Sequence, residues 1–182
     1  MTRAELIDDL TKRTQGVIKE ARAFRERSPA ELNERPTPTS WTILECLEHL
    51  SLYGDFYIPE IKSRIEHAQQ SNNEAFKSGW LGNYFAISML PGENGKLNKI
   101  KTFKNMNPIH KQLSPDVIDR FLVQQDEILS LLDKSSKIDL GKVKTAISIS
   151  KLIKLKLGDT LRVVIYHNQR HIKQALKLVA QA

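Results

Sequence analysis

The chain has one cysteine in 182 residues, Cys46, so an intramolecular disulfide, a CxxC redox pair and a cysteine-built zinc knuckle are all excluded. It also lacks any run approaching the roughly 18 uncharged apolar residues of a membrane-spanning helix. The opening MTRAELIDD carries four charged residues and no apolar leader segment, which predicts a protein that stays in the cytoplasm. No GxSxG elbow, Walker loop or GxGxxG turn is present, so serine-hydrolase and nucleotide-binding readings find no support. Internal repeats, low-complexity tracts and linkers are absent as well. The expectation is a single domain over residues 1–182, long enough to bury a core without covalent staples.

What is there is charge, and it is unevenly placed. From Lys134 onward the sequence holds 11 basic and 2 acidic residues, whereas residues 1–133 hold 17 basic and 19 acidic. Such a C-terminal excess suits either an anion-binding surface or a lysine-rich solvated face with a basic loop. The absence of any RRM, KH or zinc-finger signature favours the second and disfavours nucleic acid as a partner.

Apolar spacing and capping signals predict an all-α fold with four long helices. Thr2 and Glu5 form a capping box for a helix to about Arg27, and Thr42 and Glu45 form another for a helix to about Gln70. Trp41 and Cys46 are spaced as a hydrophobic staple at that second start, and Pro59 predicts a kink near Asp55. Pro36 and Pro38 leave room only for a short helical turn after Ser28-Pro29. A short helix is expected at about Leu81 to Leu90, then a long loop to residue 113. Ser114-Pro115-Asp116 starts a third long helix to about Asp133. Lys134 to Leu157 reads as a basic connection with some strand character and no evident hairpin partner. Asp159 or Thr160 is then expected to cap a last helix to about Ala180.

On that last helix His167 and His171 are four residues apart, so their rings stack on one face and can chelate a single ion. The same spacing also suits two hydrogen-bonded histidines at the edge of a core. His49 falls at the border of the apolar arc of the second long helix. Three imidazoles from two helices would leave open coordination positions, the arrangement of a catalytic rather than a closed structural site. Glu45, one turn before His49, and Gln174, three after His171, are candidates to orient those rings, although the cap already accounts for Glu45. Cys46 is expected to pack in the core, and His67 and His110 to face solvent.

Three segments together resemble the DinB/YfiT-like superfamily. Trp41-Thr-Ile-Leu-Glu45-Cys-Leu-Glu-His49-Leu50 is similar to its W-s-x-x-E-x-l-x-H-l segment, and His167-Asn-Gln-Arg-His171-Ile-Lys-Gln174 to its closing H-x3-H-x2-Q helix. KTFKNMNP looks like the loop before its third helix. The resemblance implies a four-helix bundle of up-down-down-up connectivity, with a long crossover between helices two and three. It implies a divalent metal, nickel or zinc and less readily iron, held by His49, His167 and His171, and often a homodimer. Some relatives are S-transferases using low-molecular-weight thiols such as bacillithiol, mycothiol or glutathione; many have no established activity. The implied function is a metal-dependent thiol S-transferase or hydrolase, with a thiol and an electrophile as substrates. Lys151, Lys154 and Lys156 are expected to attract an acidic thiol. The alternative is a non-catalytic, metal-free binding or stress-response bundle.

Overall fold

A computed structural model describes residues 1–92 and 100–179, leaving aside the side chain of Lys151. Four long helices form the body: α1 (Arg3–Arg22), α3 (Ile43–Glu66), α5 (Asp116–Ser135) and α6 (Leu157–Val179), with the short helices α2 (Pro29–Leu32) and α4 (Trp80–Ser88) between them. Both α1 and α3 pack along α5 and α6. The capping boxes at Thr2, Ser28 and Thr42 all form, each pairing a hydroxyl and a carboxylate with backbone N–H groups that a helix start leaves open. Pro59 lies inside α3, which continues past it to Glu66.

The long helices share two apolar clusters. One holds Leu6, Leu10, Ile58, Ile61, Leu132, Leu157 and Ile165; the other holds Val17, Phe24, Leu44, Leu47, Phe121, Ile172 and Ala175. Near the junction of the two, each long helix also buries polar side chains: Thr14, His49 and Ser51, Gln124 and Gln125, Asn168 and His171. Asn168 donates to Gln125 Oε1 at 2.9 Å, which lowers the cost of burying both amides.

Three expectations are corrected. The fold is mostly helical, and the basic connection, expected to have no hairpin partner, pairs with itself in part as an antiparallel hairpin, β1 (Lys144–Ile147) and β2 (Ser150–Lys156). Its alternation buries Thr145, Ile147 and Leu155 and turns Lys144, Leu152 and Lys154 outward. The Ser148-Ile149 turn carries none of the Asn-Gly or Gly-containing dipeptides that advertise a hairpin, so the partner was hidden.

At the start of α6, neither Asp159 nor Thr160 is the cap. The helix starts at Leu157, whose N–H and that of Gly158 are taken by the carbonyls of Val143 (2.9 Å) and Leu140 (3.1 Å). Asp159 instead reaches across to α4, accepting from the Gly79 N–H at 2.8 Å and from the Ser78 hydroxyl. Ser114 likewise donates its hydroxyl to Asp116 at 2.9 Å and gives α5 no side-chain cap. The connection between α3 and α5 is long, as expected, and contains α4 and a 3-10 turn, Lys104–Met106; its residues 93–99 lie outside the described residues.

Candidate metal centre

The three histidines named from the sequence converge. Their ligand nitrogens all lie within 4.8 Å of one another, and His49 Nε2 is 3.1 Å from His167 Nε2. Ring centroids are 5.0 Å apart for His49 and His167, 4.6 Å for His49 and His171, and 4.7 Å for His167 and His171. His49 and His171 are buried and His167 is half-buried, where α3 and α6 pack against each other.

Two of the rings have their tautomers set by carbonyl oxygens. His49 Nδ1 lies 2.6 Å from the Met106 backbone carbonyl, and His171 Nδ1 lies 3.0 Å from Gln174 Oε1. Since a carbonyl only accepts, each Nδ1 carries the proton and each Nε2 keeps its lone pair, the form that can ligate an ion. Burial pushes His49 down to about 4 despite the Met106 contact, and His171 to about 3. His167 is held well below the ordinary range by burial and then by its histidine neighbours. All three are therefore neutral at pH 7 and available as donors.

The donor set fits a divalent ion of intermediate softness. Nitrogens 2.0–2.1 Å from a tetrahedral zinc stand about 3.3 Å apart, close to the spacing of His49 and His167, and three imidazoles leave a position open. Gln174 contacts the His171 ring, whereas Glu45 contacts none of the three. Its carboxylate takes Arg35 on both oxygens (2.9 and 2.6 Å), the Thr42 N–H (2.9 Å) and the His110 N–H (2.6 Å). Burial alone would raise the Glu45 carboxyl, but Arg35 and these N–H groups outweigh it and hold it below its usual value.

Three neighbours were not named as site residues from the sequence, although Trp41 and Met106 lie in the segments that carry the family resemblance. Trp41 lies over His49 and His171 at centroid distances of 4.6 and 5.5 Å, and its Nε1 donates to Asn107 Oδ1 at 3.1 Å. Tyr53 meets His49 and His167 edge-on at 5.0 and 4.8 Å, its phenol pushed up to about 12 by burial and by Tyr57. Met106 acts through its main chain, which sequence reasoning about side chains does not address. His67 and His110 are exposed, the latter with φ 64 in the left-handed region. Cys46 is fully buried, and burial pushes its thiol far up.

The histidines open into a cleft of about 1020 Å³ running along α3 and α6. Lys154 and Lys156 do not line it. Lys154 projects from the outer face of the hairpin near Glu60, and Lys156 donates to the Lys77 carbonyl at 2.7 Å. Among the described residues, the lysines that line it are Lys101 and Lys177. The expectation for Lys151 rests on a side chain outside the described residues.

The sequence matches the DinB superfamily over residues 6–175, nearly its whole length, and the chain belongs to that superfamily. No curated protein and no solved structure matches it. Among the described residues no helix is long and apolar enough to cross a membrane.

Proposed function

We propose that this protein is a divalent-metal-dependent thiol S-transferase of the DinB type, with His49, His167 and His171 as the ligands of one nickel or zinc ion. The observation that carries the reading is the convergence of three neutral imidazoles on an open cleft, two with carbonyl-fixed tautomers. The chemistry that the ion supplies is deprotonation of a coordinated thiol, since coordination favours the nucleophilic thiolate. The chain's own part is to hold the rings neutral and oriented through Met106 and Gln174. Trp41 and Tyr53 wall the centre with aromatic surface that limits access of water.

This reading takes the long helices in up-down-down-up order. In its support, α1 and α6 enter the cluster of Leu6 and Leu157 first and the cluster of Phe24 and Ile172 second, whereas α3 and α5 pass through them in reverse.

A second reading has one observation in its favour. The 3.1 Å between His49 Nε2 and His167 Nε2 also suits a direct N–H···N hydrogen bond, which would close the site in a metal-free binding bundle. Elemental analysis of untagged protein beside His167→Ala separates the two. One equivalent of nickel or zinc that vanishes in the variant, with conjugation of a low-molecular-weight thiol to an electrophile that vanishes too, is the expected result. A protein that takes up no added ion overturns the metal-dependent reading.

A further inference from the structure

The cleft is chemically lopsided. Among the described residues lining it there is no aspartate and no glutamate, while Lys101, Arg170 and Lys177 bring positive charge. In a chain with 21 acidic residues, a cleft of this size with none among its described lining residues presents a positive potential to whatever enters. Along α6 the lining runs from Val163 to Leu178, about 22 Å at the helical rise, with the histidines between the ends.

The two ends differ. Beyond Val163 the wall is Tyr57, Phe85, Met89, Ile147 and Leu155, contributed by α3, α4 and the hairpin. The polar groups at this end are engaged with the protein: Tyr57 Oη and Ser148 pair at 3.3 Å, and the Ser88 hydroxyl donates to the Phe85 carbonyl at 2.7 Å. A ligand here meets apolar surface and gains by leaving water. Arg170 lies between His167 and His171, and toward the opposite end α6 presents the exposed Lys177. The exposed Tyr84 and Phe103, which also line the cleft, give it an apolar rim.

We propose that the molecule this cleft selects is an amphipathic anion. Its alkyl or aryl body occupies the arm between α4 and the hairpin, and its charged group lies past the histidines against Lys177. The inference deepens the metal-dependent reading and rests on it only for the histidines' share in a reaction; the binding preference follows from the walls alone.

The test is calorimetric titration of the full-length protein, metal-free and zinc-loaded, with n-alkanoates of six to twelve carbons and n-alkyltrimethylammonium ions of equal chain length. Affinity for the alkanoates should rise about fourfold per methylene, the equivalent of about 0.8 kcal/mol, until the arm is full. The matched cations should bind at least tenfold more weakly. Val163→Trp should flatten the chain-length dependence, and Lys177→Gln should weaken every alkanoate by a similar factor without changing it. The main readout uses the unaltered protein, so a variant that fails to fold cannot mask the answer. Flat chain-length dependence, or equal affinity for cations, overturns the inference. Metal content is measured on the same samples. Zinc uptake with flat dependence sinks the inference and spares the metal centre; chain-length dependence and anion preference without zinc uptake sink the metal centre and uphold the inference.

Discussion

His49 donates its Nδ1 proton to the backbone carbonyl of Met106 at 2.6 Å, so a metal-binding candidate on α3 takes its orientation from a loop 57 residues further along the chain. That loop is tied to the start of α3 at two more points, Trp41 to Asn107 and Glu45 to the His110 N–H. The ring and the loop that orients it therefore form one unit.

Cutting one of these ties should loosen the centre without unfolding the bundle. Asn107→Ala frees Trp41 from the loop, and Gln174→Ala removes the partner of His171 Nδ1. Each is expected to weaken metal binding by about tenfold, as lost outer contacts of ligating histidines generally do. Competition titration against a chromophoric chelator measures it. Unchanged affinity in both variants would mean that the rings are held by packing alone.

Glu45 should matter for stability rather than ligation. Its carboxylate is 1% exposed and joins Arg35, the α3 cap and the loop. Glu45→Gln leaves the Arg35 guanidinium without its ion pair and is expected to cost about 3 kcal/mol in urea unfolding, because a broken buried pair strands its partner. A loss under about 1 kcal/mol would show that water replaces the carboxylate easily.

Acid should destabilise the metal-free protein in two separate windows. His49 and His171 titrate at about 4 and about 3 in the folded state, below the usual 6.5. As pH falls below 6.5 the unfolded chain takes up protons that the folded chain refuses. Stability is then lost by up to about 1.4 kcal/mol per pH unit for each such histidine. Glu45, whose carboxyl is held down, stabilises the fold above its unfolded pKa, and that contribution is lost as pH falls through its lower folded value. Thermal melting between pH 7.5 and 4 should decline from the first window onward, and more gently in His171→Phe. A flat profile to pH 4.5 would show that the rings reach solvent.

Cys46 should be inert in the native state. It is 0% exposed, and burial together with Glu45 disfavours the thiolate. A thiol-specific chromogenic reagent is expected to register no reaction in buffer and one equivalent in denaturant; rapid native labelling would show that the Trp41 side of the core opens.

Gly82 should tolerate no side chain. A Cβ there would stand 2.5 Å from the Asp159 side chain, which is itself tied to Ser78 and Gly79 at the start of α4. Gly82→Ala is expected to cost about 1–3 kcal/mol, read by urea unfolding, with metal content unchanged. A neutral effect would mean that α4 shifts freely on α6.

The sequence by itself determined the local features. Hydroxyl and carboxylate three residues apart announced the starts of α1 and α3, because capping is satisfied within four residues of chain. The four-residue spacing of His167 and His171 put both rings on one face for the same kind of reason. Only the tertiary structure decided what depends on distant partners. The hairpin was hidden because its turn lacks the residues that mark one, and the start of α6 was misplaced because the carbonyls of Leu140 and Val143 do the work of a cap. Glu45 turned from the histidines to Arg35 and His110, and His49 found a main-chain carbonyl that no side-chain pattern encodes. The cleft's charge was equally out of reach of composition. The basic C-terminal third places Lys154 and Lys156 away from it, while Lys101, Arg170 and Lys177 face it, and which lysine faces a cleft is settled by how helices and strands pack.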